Sequence, residues 1–93
     1  MYFITADYNK AENLCLELIE YAKQNKSLES LATYLNNLAN VYQSQGRYDE
    51  ALPFFQDALL IFEKTLPENH PNIQSVRESL EICRKAAEKE RGK

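Results

Sequence analysis

A chain of 93 residues suggests one domain with a modest core. Its 44 % apolar content, with three prolines and two glycines, excludes a disordered segment and a loop-rich disulfide scaffold. The formal charge of −3 argues against a nucleic-acid partner, because phosphate binding needs a basic footprint.

That charge is uneven. Residues 84–93 carry Arg84, Lys85, Lys89, Arg91 and Lys93 against Glu88 and Glu90, a local +3 that leaves −6 on the rest. The basic stretch reads as a solvated helix end, where cations suit the helix dipole. At the other end, Met1-Tyr2-Phe3-Ile4 is too short for a signal sequence and meets Asp7 early. No apolar run approaches a membrane span, so the cytoplasm is the expected location.

Tyr8, Ala11, Leu14, Cys15, Leu18, Ile19 and Ala22 recur at helical spacing and predict a helix over 8–24, broken at Asn25-Lys26. Leu28, Leu31, Ala32, Leu35, Leu38, Ala39 and Tyr42 place one apolar face on a second helix over 28–45. Ser27 is its expected N-cap and Gly46 its stop, since glycine takes the left-handed conformation most easily. A third helix should run from Tyr48 to Lys64, with Ala51, Leu52, Phe55, Ala58, Leu59 and Phe62 as its stripe. Phe54 and Ile61 widen that stripe, so this helix needs neighbours on more than one side. Pro53 falls near its first turns, where a missing N–H does limited damage.

Leu66 to Asn69 reads as a loop. His70-Pro71 then opens a last helix, with proline at its first position. Ile73, Val76, Leu80, Cys83 and Ala87 give it a narrow stripe in charged surroundings. Such a helix packs on one side and faces water on the other. Cys15 and Cys83 fall on apolar stripes and are expected as buried, reduced core residues. With one histidine in the chain they cannot complete a metal cage.

The pattern repeats. Shifted by 40 positions, Tyr2 falls on Tyr42, Tyr8 on Tyr48, Ala11 on Ala51, Leu14 on Phe54 and Ile19 on Leu59. Shifted by 42, Leu31 falls on Ile73, Leu38 on Leu80 and Val41 on Cys83. Two helix types, A and B, therefore alternate.

Leu35, Leu38, Ala39, Tyr42, Gly46, Tyr48, Ala51, Phe55, Ala58 and Leu59 together resemble the tetratricopeptide-repeat signature. The stretch LATYLNNLANVYQSQGRYDEALPFFQDAL, the Asn36-Asn37 pair, Pro53 and the His70-Pro71 step resemble the 42-residue repeats of kinesin light chain. The resemblance implies an all-α fold of antiparallel helical hairpins, stacked as a short right-handed superhelix. Within one domain over 1–93, it implies a partial repeat over 1–25, made of the end of a helix A and a helix B. One complete repeat follows over 27–66, then a helix A-like terminal cap over 70–91. Departures support the cap: Arg77 and Arg84 replace large apolar residues, and Glu88 replaces a second turn glycine, so the last helix should run on. Ala6 stands where the first turn glycine belongs.

By the same resemblance, helix A lines a concave face that takes peptides. Here that face is Thr33, Asn36, Asn37, Asn40, Gln43 and Ser44, uncharged and opposite Leu31, Leu35 and Leu38. Asparagine is a weak helix former, so three in one helix carry a local cost. Each offers donor and acceptor to a peptide backbone. Asn37 matches the family position that often bonds a bound peptide, and Asn40 and Asn36 follow. The last helix would add Ser75, Glu78, Ser79, Ile82 and Lys85, without the cationic cluster that some family members use to clamp a terminal carboxylate.

No nucleophile, glycine-rich phosphate loop or metal spacing points to catalysis, and no cofactor is expected. The expected role is therefore an adaptor for a protein or peptide, with no nucleic acid and no membrane. The alternative is self-assembly, because Tyr2, Phe3 and Ile4 have no complete helix A and the helix over 8–24 lacks its usual partner. A third expectation is that the chain is a piece of a longer repeat array.

Overall fold

A computed structural model describes residues 4–92, with side chains from Tyr8 onward. Four helices follow in order: α1 (Ile4–Gln24), α2 (Leu28–Ser44), α3 (Tyr48–Thr65) and α4 (Pro71–Arg91). The described residues contain no strand. Each helix packs on the next, α1 on α2, α2 on α3 and α3 on α4.

The first two turns share one construction. Lys26 (φ 55°) ends α1 and Gly46 (φ 80°) ends α2, both left-handed. The amide of Ser27 donates to the Ala22 carbonyl at 3.0 Å, and the Arg47 amide to the Tyr42 carbonyl at 2.9 Å. These bonds satisfy the open carbonyls of the preceding helix and reverse the chain in three residues. Ser27 does sit at the N-cap of α2, but its side chain makes no capping bond. Thr65 closes α3 by donating its hydroxyl to the Ile61 carbonyl at 2.9 Å.

Pro53 lies in the second turn of α3, exposed, and the helix continues through it. At α4 the cap is His70, whose Nδ1 accepts from the Asn72 amide at 3.1 Å, with Pro71 following. α4 runs past Glu88 to Arg91, as the missing glycine implied. α1 runs unbroken through Ala6. Tyr2 and Phe3, read as the end of a preceding helix, lie outside the described residues, as does the side chain of Ile4.

Small residues set the spacing between helices. Ala32, Ala39, Ala51 and Ala58 are completely buried, which lets the helices close around Leu38 and Phe55, also completely buried. Leu35 and Tyr42 of the repeat signature are buried as well, while Tyr48 and Leu59 are half-buried and Gly46 stays at the surface. α4 joins this core through Ile73, Val76 and Cys83. Both cysteines are buried and free. Burial pushes both thiols above their usual range.

Polar contacts tie the helix ends. Tyr42 of α2 donates its hydroxyl to Glu12 of α1 at 2.9 Å, and Arg47 at the start of α3 lies 3.4 Å from the same carboxylate. Arg91 pairs with Asp49, fixing the end of α4 to the start of α3. The Cys83 thiol donates to the Tyr48 carbonyl at 3.3 Å. The N-terminal half of α1 therefore lies beside the start of α3, and the two helices run in the same direction.

Candidate binding face of helix α2

The helical period of α2 separates two faces. Leu31, Leu35 and Leu38 turn inward, and the residues half a turn away turn outward. Thr33, Asn37, Asn40 and Ser44 are exposed in one line, with Asn36 and Gln43 half-buried along one side. The structure thus brings all six expected side chains to one stripe.

Their hydrogen-bonding states differ. The Thr33 hydroxyl is committed to the Glu29 carbonyl at 3.0 Å, which leaves it chiefly an acceptor. The Ser44 carbonyl accepts from the Tyr8 hydroxyl at 3.3 Å, so α1 braces this end of α2. Asn37 and Asn40 hold their amides in solvent. Asn36 is different: its Oδ1 is buried and makes no hydrogen bond. An unpaired buried acceptor costs about 1–3 kcal/mol, and a donor delivered to it would recover that.

Glu29, in the first turn, is the nearest charge on α2 itself. The charged cluster is at the far end and serves the fold. Arg47 stacks over the Tyr42 ring, 4.4 Å from its centroid, and bonds Glu50 and Gln45. Burial first, and then the neighbouring Glu12, push the Tyr42 hydroxyl above its ordinary value. The Arg47 guanidinium holds Glu50 below the usual carboxylate range.

On α4, Ser75, Glu78 and Lys85 are exposed, Ser79 is half-buried and Ile82 is 61 % exposed. Arg77 and Arg84 are also at the surface. Arg77 pairs with Glu63 at 3.1 Å, and Arg84 bridges Glu81 and Glu88.

His70 is used as a helix cap. Among the described residues, no group of three or more His, Cys, Asp or Glu is placed to hold a metal, and no helix is long and apolar enough to cross a membrane. Two features were not read from the sequence. One is the Glu12–Tyr42–Arg47 cluster, in which Glu12 lies 30 residues from Tyr42 and 35 from Arg47 and so carries no local signal. The other is an apolar groove on the Leu31–Leu35 side of α2. The wide stripe of α3 hinted at it.

Residues 31–72, from the second turn of α2 to the start of α4, match the family model described as Tetratricopeptide repeat. No solved structure matches the chain.

Proposed function

For this chain, a tetratricopeptide-repeat protein whose 42-residue match is consistent with the kinesin-light-chain-like subtype, we propose the role of a non-catalytic adaptor. Its repeat family generally mediates protein–protein contacts and is generally non-catalytic. The binding surface is the polar stripe of α2, and the partner is a peptide or a protein segment. The location is cytoplasmic, and no cofactor takes part.

The observation that carries this reading is the line of exposed, uncharged side chains at Thr33, Asn37, Asn40 and Ser44, with the unpartnered Asn36 Oδ1 beside it. Asparagine amides bond a peptide backbone without demanding a particular side chain. Each such bond is worth about 0.5–1.5 kcal/mol net. Several together, with limited apolar contact, suit a weak and exchangeable complex rather than a permanent one. The test replaces Asn37 and Asn40 with Ala and measures partner capture. Helicity should be nearly unchanged and capture should fall.

A second reading has its own observation. Leu14 and Tyr21 of α1 are 56 % and 63 % exposed. Shifted by 40 positions they fall on Phe54 and Ile61, which pack against the core in α3. α1 therefore presents the surface that α3 uses to hold a helix A. A second copy of the chain supplies such a helix. Molar mass by light scattering over a wide concentration range decides this: a dimer that Tyr21→Glu dissociates supports self-association, and a monomer throughout rejects it.

A further inference from the structure

α1 and α3 both pack on α2 and run in the same direction, leaving a trough between them. Its floor is Leu31 and Leu35 of α2, and its walls include Leu16 of α1 and Leu60 of α3. Leu16 is 43 % exposed and Leu60 56 % exposed, so the walls rise into solvent. The trough encloses about 490 Å³, a volume within the range of ligand sites. It lies on the side of α2 opposite the asparagine stripe, so it is independent of the reading above.

The rim is charged in a defined order. Aligning α1 with α3 by the shift of 40 gives, from the N-terminal end, Asp57, Glu20, Lys23 and Lys64. Both acids lie at one end and both lysines at the other. None of the four belongs to an ion pair among the described residues. From Asp57 to Lys64 the helix rises roughly 10 Å, which is two turns.

We infer that this trough is a docking site for a short amphipathic helix of a protein partner, with a basic residue at its N-terminal end and an acidic residue at its C-terminal end. Two arguments fix that chemistry. The trough walls are helical, so their backbone groups are already paired and offer nothing to an extended peptide. A helix satisfies its own backbone and needs only an apolar stripe at i, i+3 and i+7. The rim then fixes direction. A helix running parallel to α1 and α3 sets its positive dipole end and its cation against Asp57 and Glu20, and its negative end and its anion against Lys23 and Lys64.

The test uses the full chain and two labelled, hydrocarbon-stapled helices of equal helicity. One carries Lys, three Leu at i, i+3 and i+7, and then Glu; its twin exchanges the Lys and the Glu. By fluorescence anisotropy the first should bind saturably and the twin about tenfold more weakly. Leu16→Glu and Leu60→Glu should each weaken binding by about tenfold or more, with the circular dichroism spectrum unchanged because both side chains are exposed. Asn37→Ala with Asn40→Ala should leave it intact, which separates this site from the stripe of α2. Exchanging all four rim charges, Asp57→Lys and Glu20→Lys with Lys23→Glu and Lys64→Glu, should invert the preference between the twins, an effect that mere loss of structure cannot produce. Absent saturable binding, equal binding of the twins, or a preference unmoved by the exchange would overturn the proposal. So would a homodimer in light scattering that Leu60→Glu abolishes, because the trough would then belong to a second copy.

Discussion

The hydroxyl of Tyr42 donates to the carboxylate of Glu12 at 2.9 Å, joining α2 to α1 across 30 residues of sequence. Arg47 completes the arrangement by covering the Tyr42 ring and reaching the same carboxylate. Three helices therefore meet at one polar cluster beside an apolar core. Tyr42→Phe keeps the buried ring and the cation contact and removes only the hydroxyl. The expected cost is about 1 kcal/mol, seen as a lower urea midpoint at unchanged slope. A midpoint equal to the wild type would mean that the bond contributes nothing to folding.

The same cluster sets part of the pH dependence. Glu50 and Glu81 are lowered, through hydrogen bonds from Arg47 and Arg84 respectively. A carboxylate lowered on folding adds stability above its unfolded pKa, and that stability is lost as pH falls through the folded value. Tyr42 is raised, chiefly by burial, so its contribution is present below its ordinary value and is lost as pH rises through the folded one. Thermal melts should show a plateau near neutrality, with acid and alkaline limbs. Arg47→Gln should flatten the acid limb, and Tyr42→Phe the alkaline one. Limbs unchanged in both variants would contradict the assignment.

The two turns make a paired prediction. Gly46 holds φ 80°, and a Cβ built there meets nothing within 4 Å. Gly46→Ala should therefore cost about 1 kcal/mol from backbone strain alone. Lys26 already sits at φ 55° in the equivalent turn. Lys26→Gly should relieve about that amount, less the entropy glycine adds to the unfolded chain. Opposite shifts in melting temperature are expected, and shifts of the same sign would count against the shared turn geometry.

Much of the fold was legible in the sequence, for local reasons. The i, i+3, i+4 stripes, Gly46 and His70-Pro71 act within a turn or two, and they marked the bounds of α2, α3 and α4 within a residue or so. The cysteines were readable because a free thiol on an apolar stripe behaves as a small hydrophobe, although Leu14 of the same stripe as Cys15 is 56 % exposed. The role of Ser27 was only half legible, since the sequence identifies a capping position but not whether the hydroxyl turns to the backbone. The six residues of the α2 face could be grouped because one helix carries them all. That Asn36 buries its oxygen is a feature of which the period of α2 carries no trace. The trough needed two helices separated by forty residues to be set side by side, and Leu16 and Leu60 look like ordinary surface leucines until they are.

The central claim is that the asparagine stripe of α2 binds a protein partner. The most direct measurement immobilises the wild-type chain and the Asn37→Ala, Asn40→Ala variant, captures partners from lysate, and titrates the main captured protein against both. The account expects equal helicity and an affinity lower by about tenfold or more in the variant, corresponding to about 1.4 kcal/mol. Equal affinity for the two proteins would contradict it and remove this face from consideration.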